Sequence, residues 1–179
     1  MFASFVDAIG ISPYFLSLSG IIIRTFSELA PEFGALTELC INGRLDFGQI
    51  SLSNIETVRS LRIVDARSMN GFRQFMAAFP RLTRFSFTST NPVSLHLDQT
   101  IWPELRFMYL GSVWITEKAL SHIITTTESE EIVLELVAVT LENSTWDSFW
   151  TAMQQSGHRV TPRDGTSKFL DGSSVVIYK

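Results

Sequence analysis

Along this chain apolar residues recur at a spacing of three and then two, as in Leu105, Met108 and Leu110. Neighbouring side chains of a strand point to opposite faces, so the last two residues of each triplet share a face and the residue between them turns the other way. After "LRFMYLGSV" comes "ITEKALSHIITTTES", and after "EEIVLELVAV" comes "TLENSTWDSFWTAMQQSG", so a short strand, a turn and an amphipathic helix are written twice in succession. The triplet also occurs upstream as Leu36, Leu39 and Ile41, as Val58, Leu61 and Ile63, and as Leu82, Phe85 and Phe87, and downstream as Glu131, Leu134 and Leu136. Its middle positions, 39, 61, 85, 108 and 134, step by 22, 24, 23 and 26 residues.

These steps lie within the range of about 20 to 29 residues of leucine-rich repeats, whose strand pattern L-x-x-L-x-L is the same. The spacing therefore predicts an α/β fold, a leucine-rich-repeat-like solenoid of about five to six irregular strand-helix repeats with a C-terminal hairpin cap. A single domain is expected over residues 1–179, with 1–35 a partial N-terminal repeat, 36–157 the repeats and 158–179 the cap. Helical stripes are legible in Phe2, Phe5, Val6 and Ile9, in Phe72, Phe75, Met76 and Phe79 before Pro80, and in Trp146, Phe149, Trp150 and Met153 before Gly157. Thr25 with Glu28 matches a capping box, and Thr116 is a natural N-cap with Ile115 and Leu120 placed as a hydrophobic staple. The linker "RLDFGQISLSNIE" shows no helical period, and "KFLDGSSVVIYK" reads as a hairpin turning at Asp171-Gly172. Three residues after each triplet, where the repeat consensus has Asn or Cys, stand Arg44, Ala66, Thr90, Val113 and Val139. Without an asparagine ladder the turn carbonyls must find other donors, and a flatter, irregular stack is expected.

The stretch "PELRFMYLGSVWITEKAL" followed by "EEIVLELVAVTLENSTWDSFWTAM" resembles the leucine-rich-repeat half of the large fungal class of F-box and F-box-like proteins. Pro103, Leu105, Leu110, Leu120, Leu134, Leu136, Val139, Leu141, Trp146 and Phe149 carry the likeness, with Asn143-Ser144-Thr145 where the class usually has Gly-Ser. The likeness spans most of the chain from Leu36, and no Leu-Pro-rich F-box segment is visible. It implies the substrate-recognition part of a ubiquitin-ligase adaptor.

Composition narrows the partner. Hydrophobic residues make up 45% of the chain and charged ones 18%, against about 25% charged in an average globular protein, which points to a covered face. With a net charge of -4 and no Lys/Arg run, nucleic acid and membrane surfaces are not expected partners. Cys40 is the single cysteine, so no intrachain disulfide can form. The start "MFASFVDAIG" lacks a basic n-region and carries Asp7, and no apolar run approaches the roughly 18 residues of a membrane span, so the cytoplasm or nucleus is the expected location.

Reaction chemistry is not legible. His96, His122 and His158 show no H-x-x-x-H spacing, and no G-x-S-x-G elbow, Walker loop or G-x-G-x-x-G occurs. No catalytic, metal or cofactor residues are expected, and the chain reads as a non-catalytic module that binds a protein or peptide. Two other readings stand beside this one: an enzyme or enzyme accessory using a loop site such as His96 and Asp98 in "TSTNPVSLHLDQT", and a repeat fragment without independent activity. For the binding role the candidates are outward strand residues, Arg62, Arg84, Phe107, Tyr109 and Glu135, because arginine and aromatic side chains are enriched at binding hot spots. Arg62, Arg84, Phe107 and Tyr109 are expected at equivalent outward positions of neighbouring strands, with Ser60 at the rim, and an acidic or phosphorylated peptide with an apolar anchor is the expected ligand.

Overall fold

The computed structural model describes residues 15–19, 36–43, 47, 54–66, 69–162 and 174–179, the first of these segments by its backbone alone. Each triplet contributes a strand: β2 (Glu38–Asn42), β3 (Ser60–Val64), β4 (Arg84–Ser94), β5 (Phe107–Thr116) and β6 (Glu131–Glu142) follow β1 (Phe15–Ser19). Leu39, Leu61, Phe85, Met108 and Leu134 pair in one continuous register across β2 to β6, and Ile41, Ile63, Phe87, Leu110 and Leu136 do the same two residues on. All ten are buried. Leu36, Val58, Leu82 and Leu105 close the same core from below, whereas Glu131, first residue of the last triplet, is exposed.

A stack of repeats is nevertheless not what these strands build, and the solenoid expectation is corrected here. The described residues form one mixed sheet in the order β1-β2-β3-β4-β5-β6-β8-β7, with β1 to β6 parallel and β8 (Ser174–Tyr178) antiparallel to both β6 and β7 (Arg159–Pro162). Described helices follow only three strands: α1 (Phe72–Ala77) after β3, α2 (Glu117–Thr126) after β5 and α3 (Trp146–Gln155) after β6. Between β4 and β5 the chain returns without any helix, bringing Trp102 under the sheet with its ring 4.9 Å from that of Phe85. Apolar spacing reports which strand face is buried, and it leaves the shape of each return segment to whatever fills the space beneath. The expected hairpin changes too: β8 enters the sheet beside β6, and its other neighbour is Arg159–Pro162. The turn at Asp171-Gly172, the helical stripe from Phe2 to Ile9 and the Thr25–Glu28 capping pattern lie outside the described residues.

A corner crosses the sheet at one level. Gly43, Asp65, Ser112 and Ala138, each two residues beyond the last member of its triplet, have φ of 110°, 60°, 55° and 53°. β4 slips its register with β5 at the same height, between Thr88 and Val93. Beyond the corner the buried positions change phase, from Met108 and Leu110 to Val113 and Ile115 in β5, and from Leu134 and Leu136 to Val139 and Leu141 in β6. A left-handed residue reverses which side the following residues present, so both legs of a bent strand keep their apolar side chains inward.

The layer beneath is held by caps and rings. Thr116 Oγ1 accepts from the Ala119 amide at 3.0 Å and starts α2, and Thr145 Oγ1 accepts from the Ser148 amide to start α3. At the other end of α2 the Lys179 ammonium donates to the carbonyls of Thr125 and Thr127, a cation placed at the negative end of the helix, although burial pulls its pKa below the usual lysine range. Turn carbonyls find side-chain donors in place of an asparagine ladder: Ser89 Oγ donates to Ala66 O at 3.3 Å, and Trp146 Nε1 to Val139 O at 3.3 Å. Phe47 packs against Phe72 and Phe75 with ring centroids 5.0 and 4.9 Å apart, so part of the linker without helical period is core.

Leu110→Ala should lower the unfolding free energy measured in urea by about 2–5 kcal/mol, as expected for a fully buried leucine. At the corner, Ala138→Asn should leave stability equal or a few tenths of a kcal/mol higher, because Asn tolerates the left-handed region, whereas Ala138→Val should cost roughly 1–2 kcal/mol.

Candidate protein-binding face

The face opposite the core is assembled by register. Ser60, Arg84, Phe107 and Val133 make one rung across β3 to β6, Arg62, Ser86, Tyr109 and Glu135 the next, and Val64, Thr88, Gly111 and Val137 a third. An open concavity of about 450 Å³ lies over the first two rungs, lined chiefly by Ser60, Arg62, Arg84, Ser86, Phe107 and Tyr109. The Arg84 guanidinium carbon sits 5.0 Å from the centre of the Phe107 ring, a cation–π contact that holds the long arginine side chain down along the sheet. Gly111 belongs to the same surface: a Cβ there would lie 3.2 Å from Thr88 Cγ2 and 3.3 Å from Tyr109 Cε1, so the bare glycine gives the tyrosine ring its seat.

The charges of this face divide into two groups. At the edge where β3, β4 and β5 begin, Glu104 receives Arg81 Nε at 2.8 Å and Arg59 Nη1 at 3.2 Å, and Arg59 also donates to the Arg81 carbonyl at 2.9 Å. The Arg81 hydrogen bond holds the Glu104 carboxyl below its ordinary pKa, opposed by partial desolvation and assisted by the charges of Arg59, Arg81 and Arg106. Arg62 and Arg84, in contrast, make no ion pair among the described residues.

Arg62, Arg84, Phe107 and Tyr109 are thus brought to one concavity, but not at equivalent positions. Arg84 and Phe107 occupy the first rung, Arg62 and Tyr109 the second, so the two arginines are diagonal neighbours. Glu135 continues the second rung, half-buried, two strands beyond Ser86, and does not line the concavity. Ser60, read from sequence as a rim residue, lines it. Ser86 and Gly111 were in the outward alternation of the strands, yet nothing in their residue types singled them out before the rungs were aligned.

Elsewhere the candidates stay dispersed. His96 is exposed, while Asp98 accepts a hydrogen bond from Thr116 Oγ1 at 3.0 Å and so ties the 95–101 loop to the start of α2. Cys40 stands beside Arg62 on β2, half-buried. No group of three His, Cys, Asp or Glu residues able to hold a metal ion occurs among the described residues. No described helix is long and apolar enough to cross a membrane.

A titration of carboxyl groups by NMR should place Glu104 below the free glutamate range, and Arg81→Ala should move it back up. A depressed carboxylate adds stability above its ordinary pKa and loses it as pH falls through the folded-state value, so the variant should lose less stability on acidification. The difference should be small for a pair this exposed.

Compared with protein-family models, with curated proteins and with solved structures, the chain matches none of them, and what this face does must be argued from its own side chains.

Proposed function

We propose that the chain is a non-catalytic interaction module whose outer sheet face receives an anionic segment of a partner protein. The observation that carries this reading is the contrast between neighbouring arginines. Arg59 and Arg81 share Glu104, whereas Arg62 and Arg84 border a concavity that no carboxylate of the described residues lines, on a chain whose net charge is -4. Guanidinium groups without a counter-ion among the described residues, beside Phe107 and Tyr109, offer a partner bidentate charge-assisted hydrogen bonds together with apolar area held at low entropic cost. The exposed Val137 extends the apolar part of the face from Gly111. The narrower role, substrate recognition within a ubiquitin-ligase adaptor in the cytoplasm or nucleus, draws its support from the sequence likeness alone.

The test is covalent capture from the face itself. A photo-crosslinking side chain at Ser86 should trap a partner that one at Gln74, exposed on α1, does not. Titrating that partner against folded Arg84→Ala and Tyr109→Ala proteins should show each truncation costing on the order of 2 kcal/mol or more, as for central anchors of an interface. Unchanged affinity in both variants would assign recognition to another surface.

A further inference from the structure

The four polar residues at the centre of this face form a pattern that selects among anions. Resting on the reading of the face as a receptor for an anionic segment, we infer that the anion is a phosphorylated side chain of the partner and not a carboxylate. Ser60 and Arg62 of β3 lie against Arg84 and Ser86 of β4, with Ser60 opposite Arg84 and Arg62 opposite Ser86. The outcome is a square with arginines at one pair of opposite corners and serines at the other. Its sides are about 4.8 Å across the strands and about 6.6 Å along them, so the arginine Cα atoms stand roughly 8 Å apart. Two guanidinium arms can converge over such a square while the two hydroxyls remain at its floor. None of the four side chains has a hydrogen-bond or ion-pair partner among the described residues, and every one of them can donate.

Donor geometry decides the ligand. A carboxylate can accept from two guanidinium groups, as Glu104 does from Arg59 and Arg81, but its two oxygens lie in one plane with them and leave no third oxygen for the hydroxyls at the floor. A phosphate monoester presents three oxygens in a tetrahedral array with up to two negative charges, so each arginine can take an edge and a hydroxyl can donate to the oxygen that points down. The Arg84 guanidinium carbon lies 5.0 Å from the Phe107 ring centre, which confines one fork beside the square, and a planar fork can offer two parallel N–H donors that an ammonium cannot reproduce. Among the described residues, the titratable groups around the square are Glu38 and Cys40 on β2, Tyr109 on β5 and Glu135 on β6. None is a member of it. The partner commits a phosphorylated serine or threonine, with apolar residues beside it to lie along Phe107 and Tyr109.

The probes are N-acetyl-phosphoserine methylamide, the corresponding glutamate compound and inorganic phosphate, each titrated while the side-chain N–H signals of Arg62 and Arg84 are followed by NMR. Both arginine signals should move, and the phosphoserine compound should bind about tenfold more tightly than the glutamate compound, having more oxygens and more charge for the same donors. Its affinity should fall as the solution is acidified through about pH 6, where a phosphate monoester loses its second charge. The glutamate compound over the same range reports any contribution from the protein's own groups. Replacing both Ser60 and Ser86 by Ala should remove most of the preference and leave glutamate binding unchanged, and Arg84→Lys should weaken phosphoserine binding more than glutamate binding. Equal affinities for the two compounds would overturn the phosphate assignment while leaving an anionic partner in place. Inorganic phosphate binding as tightly as the phosphoserine compound would make this a free-anion site and overturn the inference as well. Movement of neither arginine with any of the three would remove the proposed function along with it.

Discussion

The structure depends on a single constraint, the in-register parallel pairing of strands whose apolar residues all fall on one side. A parallel strand cannot be joined to its neighbour by a tight turn, so each connection must travel back across the buried face before the next strand begins. Leu39, Leu61, Phe85, Met108 and Leu134 hold their common register because a slip of one residue in any strand would turn its apolar set to solvent. The return segments then have one task, covering that face, and they meet it with different materials. The β3–β4 return uses the rings of Phe72, Phe75 and Phe79, the β4–β5 return uses Trp102, and the returns after β5 and β6 begin with the amphipathic helices α2 and α3. At the far edge the antiparallel β8 and β7 complete the sheet.

The corner at Gly43, Asp65, Ser112 and Ala138 shows how a local cost is recovered collectively. Three of these four residues are not glycine, and each L-residue in the left-handed region costs roughly 1–2 kcal/mol. Bending together lets β5 and β6 keep their pairing from Gly111 and Val137 to Val113 and Val139, and it buries Val113, Ile115, Val139 and Leu141 on the second leg. Burying an aliphatic side chain of this size is worth about 1.5–3 kcal/mol, enough to outweigh the strain.

The same register that fills the core lays out the outer face without further specification. Because side chains alternate, any pairing that aligns Leu61 with Phe85 also sets Ser60 against Arg84 and Arg62 against Ser86. Two arginines that are 22 residues apart in the chain become diagonal neighbours, and a second pair of arginines, Arg59 with Arg81, meets at Glu104 along the edge. The face is therefore a by-product of the core register in position, and its character comes from which residue types happen to occupy the outward slots.

Local chemistry was readable before any fold was known. The strands, their buried residues, the stripes of α1 and α3, the cap at Thr116 and the outward set Arg62, Arg84, Phe107 and Tyr109 all follow from periodicities of two and 3.6 and from capping rules, which act within a few residues. Between distant segments the triplets align β2 to β6 in their observed register, but what covers the sheet and what completes its far edge are not written in them. A repeat spacing is equally compatible with a stack of like units and with one mixed sheet whose returns differ, since it carries no information on whether the β4–β5 return is helical or where β8 inserts. The expectation of equivalent outward positions failed on alternation itself: aligning Leu61 with Phe85, as the triplets do, already sets Arg84 against Ser60 and puts Arg62 one rung further on. The sequence by itself determined which side chains face out, because alternation is a property of each strand alone. Tertiary structure decided which of them meet, because that depends on how strands from separate parts of the chain bury their apolar faces together.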